Sequence, residues 1–203
     1  MAFTHVLEPI KIGAVEIPNR VVRTAHGTAI GGGTLSDDLM AYHLERAHGG
    51  VGLSILEILS VHPTSVGPLN AFDPTLVDSY KRFMDQVRPT GMKVFQQVWH
   101  AGHNGTNARG GPPWSASAIP SPTVGVVPVA MTTSMITEIV EAFAATARKC
   151  EEGGIDGVEI HCAHGYLVHQ FLSPSLNRRE DDYGGTEDNR RRFMLEVLRA
   201  VRQ

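Results

Sequence analysis

Two histidines and a tyrosine stand close together directly after an apolar run. His161, His164 and Tyr166 follow the segment Gly157–Ile160 within six residues. Imidazole and phenol groups can donate hydrogen bonds or protons to a bound substrate. Residues three apart on a strand face opposite sides, so the two imidazoles converge only if the strand ends near His161 and the chain turns, as Gly165 allows. The spacing indicates either a hydrogen-bonding and proton-transfer site or surface loop histidines beside a half-buried tyrosine.

His100 and His103 repeat this spacing after another apolar run. Neutral imidazole is the commonest zinc ligand, so the two histidine pairs together raise a metal site as an alternative. Neither pair has a carboxylate or a cysteine at ligand spacing, and the two cysteines, Cys150 and Cys162, form no CxxC motif. We therefore expect no metal.

Length and composition fit a single globular domain. The chain has 203 residues, a hydrophobic fraction of 42%, a net charge of −3 and a pI near 6.3. That charge offers no basic surface for nucleic acid and no polybasic patch for membranes. No apolar run reaches the ~18 residues of a membrane span, and the start, Met1 to His5, lacks the pattern of a signal peptide. With only two cysteines, a reducing, cytoplasmic location is expected.

The chain repeats a strand, a loop and a helix four times. Apolar runs predict four strands, at Val21-Val22, Val51 to Ile58, Met92 to Val98 and Gly157 to Ile160. Apolar stripes predict a helix from the N-cap Ser36 to Gly49-Gly50, one over 76–87, one over 136–150 that Gly153-Gly154 stops, and one that Thr186 caps and that runs to Val201. This alternation predicts βα units and a parallel sheet, with chemistry at the carboxyl ends of the strands.

The connection from Trp99 to Met131 breaks this rhythm. It has no helical period and many glycines and prolines. Connections of this length in a compact domain are usually functional or disordered. Because it leaves the carboxyl end of the third strand, we interpret it as a lid over the predicted site, with disorder as the alternative. We call residues 99–131 the lid loop.

A dense pattern continues beyond Tyr166. It consists of His169-Gln170-Phe171-Leu172-Ser173-Pro174, Asn177, Arg178, Asp181, Tyr183-Gly184-Gly185-Thr186 and Asn189-Arg190. Together with the histidine pair and Tyr166, this run resembles the signature of the Old Yellow Enzyme family of FMN-dependent oxidoreductases. The part around Asp181 predicts a turn held by side-chain hydrogen bonds rather than chemistry.

The resemblance implies a (β/α)8 barrel of the TIM type. Residues 1–203 would form the N-terminal half of that barrel, with about the first four βα units present and the remaining half absent from this chain. Four strands leave two unpaired edges, which favours a homo-oligomer or other self-association. Leu53, Ile55 and Val94 are expected on the open concave face.

The resemblance also assigns roles. His161 and His164 would donate hydrogen bonds to the oxygen of an activated alkene, and Tyr166 would give the proton. The cofactor-binding positions are Thr24, Ala25, His26, Ile58, Gln97 and His161. Three positions depart from the family: Ala25 replaces a common proline, Gly27 a redox-tuning cysteine, and Ile58 a smaller residue.

The implied reaction moves hydride from NAD(P)H through FMN to an alkene conjugated with a carbonyl group. Oxidative N-demethylation or reduction of a dienoyl thioester on the same barrel is an alternative. A different class of function is a catalytically inactive half-barrel that survives as a fragment or an assembly module.

Overall fold

The computed structural model describes residues 4–203, so Met1 to Phe3, where the absence of a signal peptide was expected, lie outside the described residues. Its strands are β1 (Ile10–Ile12), β2 (Val15–Ile17), β3 (Val22–Arg23), β4 (Leu53–Ser60), β5 (Leu69–Asn70), β6 (Lys93–Trp99), β7 (Trp114–Ser115), β8 (Val129–Ala130) and β9 (Gly157–Ile160). Its helices are α1 (Thr4–Leu7), α2 (Asp37–His48), α3 (Leu76–Val87), α4 (Thr133–Glu152), α5 (Leu167–Leu172) and α6 (Glu187–Val201), with 3-10 turns at Arg88–Thr90 and Gly102–Asn104.

The main sheet is parallel, in the order β3-β4-β6-β9, with β5 added at the end of β4. The four predicted strands are confirmed; β3, β4 and β6 have ends that differ by one or two residues, and those of β9 match. A register shift between Leu56 and Leu59 interrupts the pairing of β4 with β6. Each of these strands leads into a helix that covers one face of the sheet, as in one half of a barrel.

Local signals fix the predicted helix starts. The side chain of Ser36 accepts a hydrogen bond from Leu39 N (3.3 Å) at the start of α2, and that of Thr186 accepts one from Asn189 N (3.3 Å) at the start of α6. Such caps satisfy backbone donors that have no partner inside the helix. Both predicted caps are confirmed.

The hydrophobic core has two parts, one on each face of the sheet. The larger part lies between the sheet and the helices and includes Val94, Tyr80 and Phe143, all fully buried. The smaller part, on the inner face, consists of Ile17, Leu53, Ile55 and Phe95.

These positions correct one expectation about the concave face. Val94 does not lie there, because it packs among the helices; Leu53 and Ile55 do, but Ile17 of the β1–β2 hairpin packs against them. The hairpin therefore shields part of the apolar surface that the sequence predicted to be open.

The lid loop has a packed base and an exposed tip. β7 pairs with β8, and Ser115, Ala116 and Ser121 are buried. Val124 and Val127 are exposed. The alternative of a wholly disordered connection is wrong. Among residues 4–203, no helix combines the length and the apolar character that crossing a membrane requires.

Candidate active site

The predicted site residues lie at one edge of the sheet because the four strands run in the same direction. Thr24 to His26 follow β3, Ile58 and Gln97 lie near the ends of β4 and β6, and His161 follows β9. The carboxyl edge of a parallel sheet is the usual place for an active site in this architecture.

The structure brings His161, His164 and Tyr166 together. The ring centroids of the two histidines are 5.0 Å apart, that of Tyr166 is 4.9 Å from His161, and that of His164 is 6.4 Å from Tyr166. Strand β9 ends at Ile160, and the left-handed backbone of His164 (φ 57°) and Gly165 (φ 73°) then turns the chain. This turn places the three rings on one side although their spacing does not suit a strand.

Backbone contacts select one tautomer of His161. Its ring is buried, and Ala163 N donates a hydrogen bond to His161 Nδ1 (3.2 Å). Since Nδ1 accepts, the proton of the neutral ring sits on Nε2. Burial, with a smaller contribution from the charge of His164, lowers the pKa of His161. At neutral pH the ring is therefore an uncharged hydrogen-bond donor.

A cavity of about 680 Å³ opens beside this cluster. It is lined by Ile58, Trp99, His103, Asn104, Pro122, Thr123, His164, Gly165, Tyr166 and Leu176. The indole of Trp99 meets the ring of Tyr166 edge-on, with centroids 5.2 Å apart. Of the predicted site residues, Ile58, His164 and Tyr166 line this cavity.

The other predicted positions are arranged differently. Gln97 Nε2 donates to Glu159 Oε2 (2.5 Å) across the β6–β9 pair; among residues 4–203 the amide oxygen and the second amide hydrogen have no other partner. Ala25 packs against the inner part of the core. Thr24 and His26 are exposed, and His26 Nε2 lies 3.3 Å from Arg23 Nη2.

The loop after β3 is held by a carboxylate that the sequence analysis left unassigned. Glu57 Oε2 accepts hydrogen bonds from Thr28 N (2.5 Å) and Thr28 Oγ1 (3.0 Å). Its other oxygen, Oε1, is buried without a partner among the described residues. A strongly polar residue inside a buried strand was the available sign of such a role.

The second histidine pair does not converge on one point. His100 is bonded at both nitrogens, to Gly102 N (3.0 Å) and to Thr64 Oγ1 (2.9 Å), while His103 Nδ1 is bonded to Ile119 O (3.0 Å). Within residues 4–203, no three histidine, cysteine, aspartate or glutamate side chains are grouped as a metal site would need.

Gln170 belongs to the pattern that resembles the family signature, but the sequence assigned it no role. Its buried amide donates to Ala101 O (3.2 Å) and Gly165 O (2.6 Å). It accepts from His103 N (3.2 Å) and Ser115 Oγ (2.9 Å). These contacts join the lid loop to the turn that carries Tyr166.

The turn predicted around Asp181 is confirmed. Asp181 Oδ1 accepts from Tyr183 N (3.1 Å), and the carboxylate pairs with Arg179, which lowers the pKa of Asp181. Arg179 also donates to Ala116 O (3.1 Å) and Met131 O (2.5 Å) in the lid loop. The turn therefore holds the lid loop through Arg179, and neither Arg179 nor Asp181 lines the cavity of about 680 Å³.

Comparisons with known proteins agree with this arrangement. The family model for NADH:flavin oxidoreductase / NADH oxidase matches residues 5–203. An NADH oxidase of Thermoanaerobacter brockii is 35% identical over 99% of this chain and 32% of its own length. An NADPH dehydrogenase of Bacillus velezensis is 35% identical over 96% of this chain and 59% of its own.

A solved structure shows the same likeness. Morphinone reductase superimposes with a TM-score of 0.88 at 28% identity, over 97% of this chain and 58% of its own. The chain thus spans between about one third and three fifths of the length of these proteins. The fold is that of a partial TIM barrel, as the sequence predicted.

Proposed function

The chain belongs to the NADH:flavin oxidoreductase / NADH oxidase family, and from that premise we propose that it supplies the substrate-binding and proton-donating residues of an FMN-dependent ene-reductase. The proposed reaction transfers hydride from NAD(P)H, by way of FMN, to an alkene conjugated with a carbonyl group. The observation that carries the proposal is the cluster of His161, His164 and Tyr166 beside the cavity at the end of β9.

The fixed tautomer of His161 suits a role in binding an oxygen atom. Because Nδ1 accepts a hydrogen bond from Ala163 N, the proton sits on Nε2, which can donate it to a bound oxygen. In alkene reduction, negative charge develops on the carbonyl oxygen, and fixed donors aimed at that oxygen stabilise the charge. His161 and His164 are proposed as this pair of donors.

Tyr166 is proposed as the proton donor to the substrate carbon. A general acid must lie within hydrogen-bond reach of the atom that it protonates. Tyr166 lines the same cavity as His164. The indole of Trp99 contacts the phenol ring edge-on and lines the same cavity.

The residues present fit one side of FMN. The free amide oxygen and hydrogen of Gln97 suit the donor and acceptor edge of a flavin ring. The small side chain of Ala25, with Thr24, His26, Ile58 and His161, would lie along the ring. When bound, FMN supplies the hydride chemistry. In complete barrels of this type, the ligand phosphate is usually held by the loops after the seventh and eighth barrel strands. Within the described residues, the sheet of this chain has only the first four barrel strands, β3, β4, β6 and β9.

Anaerobic consumption of NADPH in the presence of 2-cyclohexen-1-one tests the proposal on FMN-loaded protein. We expect enone-dependent consumption that His161→Ala lowers strongly, together with weaker binding of a substituted phenol that occupies the same oxygen site. An enone-independent rate, or phenol binding that His161→Ala leaves unchanged, would contradict the assignment. His48→Ala, an exposed histidine of α2, is the matched control.

The partner proposed is a small molecule with a conjugated carbonyl group. The net charge of −3 gives no support for nucleic-acid binding, and the composition favours the cytoplasm. Self-association through the open sheet edges is proposed for the polypeptide of residues 1–203.

A further inference from the structure

A row of hydrogen bonds links the end of β6 to helix α4. His100 Nε2 lies 2.9 Å from Thr64 Oγ1, and Thr64 Oγ1 lies 2.8 Å from His62 Nδ1. His62 Nε2 lies 3.0 Å from Glu138 Oε1 in α4. The row starts at Gly102 N, which donates to His100 Nδ1 (3.0 Å).

The two ends of the row allow one direction of proton donation. Because a backbone N–H can only donate, His100 Nδ1 is an acceptor and the proton of His100 sits on Nε2, which donates to Thr64. The hydroxyl of Thr64 then donates to His62 Nδ1, and His62 Nε2–H donates to the carboxylate of Glu138. Thr64 N, at 3.4 Å, also points its hydrogen at His62 Nδ1, which supports the same direction.

We propose that both histidines are Nε2–H tautomers and that the hydroxyl of Thr64, which joins them, makes Thr64 a positioning residue for the wall of the cavity that contains Tyr166. The proposed effect on Tyr166 rests on the function proposed above, whereas the direction of the hydrogen bonds does not.

The row of hydrogen bonds is connected to Tyr166 through the backbone of His100. His100 O accepts a hydrogen bond from Leu167 N (3.0 Å), the first residue of α5, and Tyr166 directly precedes it. Trp99, the neighbour of His100, contacts the phenol ring edge-on and lines the same cavity. A shift of His100 is therefore expected to move both Trp99 and Tyr166, which line the cavity.

At its other end, the row of hydrogen bonds contacts the lid loop. Glu138 Oε1 also accepts from Arg109 Nη1 (2.8 Å), and the ring of His62 lies 5.6 Å from that of Trp114. The row of side chains thus connects four parts of the fold: α4, the end of β4, the end of β6 and the base of the lid loop.

Burial explains why the row of hydrogen bonds keeps one direction of proton donation. Thr64, His62 and His100 are all buried, so water cannot replace a missing partner. Burial lowers the pKa of His100 to about 3 and also lowers the pKa of His62. Both rings are therefore neutral at pH 7, as a chain of single donors and acceptors requires.

Long-range 15N NMR of the histidine rings tests the direction on the unmodified protein. We expect both His62 and His100 as Nε2–H tautomers at pH 7. An Nδ1–H tautomer at either ring would overturn the proposal. This measurement requires no flavin and no substrate, so a failure of alkene reduction leaves it untouched.

Two variants test the positioning role. Thr64→Val removes the hydroxyl and keeps the shape, whereas Thr64→Ser keeps the hydroxyl. We expect hydrogen exchange of the Leu167 amide to rise on the order of tenfold in Thr64→Val and to change little in Thr64→Ser. The amide of Ser173, which bonds His169 O inside the same segment, is the internal control.

Equal exchange of Leu167 in wild type and Thr64→Val would overturn the positioning role. An equal rise at Leu167 and Ser173 would do the same, because it would show a general loss of stability. If Thr64→Val does not fold, the tautomers of the unmodified protein and of Thr64→Ser still decide the direction of the chain: both rings must remain Nε2–H.

Discussion

The carboxamide of Gln170 occupies the space that a side chain at Gly102 would need. A Cβ atom added at Gly102 would overlap the oxygen, nitrogen and carbon of that amide, and the backbone there is left-handed (φ 61°). The amide is also bonded to backbone on both sides, at Ala101 and at Gly165. The glycine therefore allows the lid loop and the turn before Tyr166 to share one anchor.

Gly102→Ala is expected to lower the free energy of unfolding by about 2–5 kcal/mol. A left-handed alanine costs about 1–2 kcal/mol, and forcing a methyl group into a packed site adds about 1–3 kcal/mol. Urea unfolding followed by circular dichroism measures the change.

Gly125→Ala is the matched control for this loss. Gly125 also has a left-handed backbone (φ 72°), but nothing lies within 4 Å of its added Cβ. We expect a loss of only about 1–2 kcal/mol there. Equal losses in the two variants would show that Gln170 does not depend on the glycine.

The sequence predicts most of the fold because its local signals agree with its long-range ones. The apolar runs at β4 and β6, and the caps Ser36 and Thr186, lie where the structure has them. The facing of Val94 was not predictable, because a strand that is apolar on both faces carries no alternation to show which side is inward. The β1–β2 hairpin was missed because its strands have three residues each.

The residues that could be named as site candidates were those inside a compact motif. His161, His164 and Tyr166 are close in sequence, so a motif could suggest them. The roles of Thr64 and Gln170 could not be predicted because their partners are far away: Thr64 bonds a residue 36 positions on, and Gln170 one 67 positions back. Neither residue type signals such a role alone.

Acid should destabilise the fold through two buried histidines before most carboxylates titrate. Burial lowers the pKa of His43 and of His100 to about 3, and the charges of Arg23 and Arg46 add to the shift at His43. An unfolded histidine has a pKa of about 6.5, so below that pH the unfolded state binds a proton that the folded state does not.

The free energy of unfolding should therefore fall as the pH drops from about 6.5 towards 3. Each histidine contributes a slope of about 1.4 kcal/mol per pH unit within this window. Urea unfolding at pH 7, 6 and 5 measures the slope. His43→Asn, which keeps a polar atom near Ser54 Oγ, should reduce it, whereas His5→Asn on the surface should not. A slope that His43→Asn leaves unchanged would show that His43 is already charged in the fold.

Tyr166→Phe should impair the alkene reaction and spare reduction of the flavin by NADPH. Loss of a general acid costs about 100-fold or more where the substrate needs the proton. Stopped-flow absorbance on FMN-loaded protein separates the two half-reactions. Tyr183→Phe is the control, because the hydroxyl of Tyr183 bonds Glu196 in α6 and lies outside the cavity. An alkene rate that Tyr166→Phe does not change would rule out the proton-donor role.

The polypeptide of residues 1–203 should self-associate through the edge of β3. In the described residues, β3 pairs on one side only, with β4, and Val22 on it is 43% exposed. Unpaired backbone groups at a strand edge can pair with another chain, and a lysine there opposes such pairing. Val22→Lys should weaken the association measured by sedimentation equilibrium by on the order of tenfold, or about 1.4 kcal/mol. Val127→Lys, at the exposed tip of the lid loop, adds the same charge away from the sheet and should leave the association constant unchanged. A monomer at all micromolar concentrations, or equal effects of the two lysines, would show that the edge of β3 is not the interface.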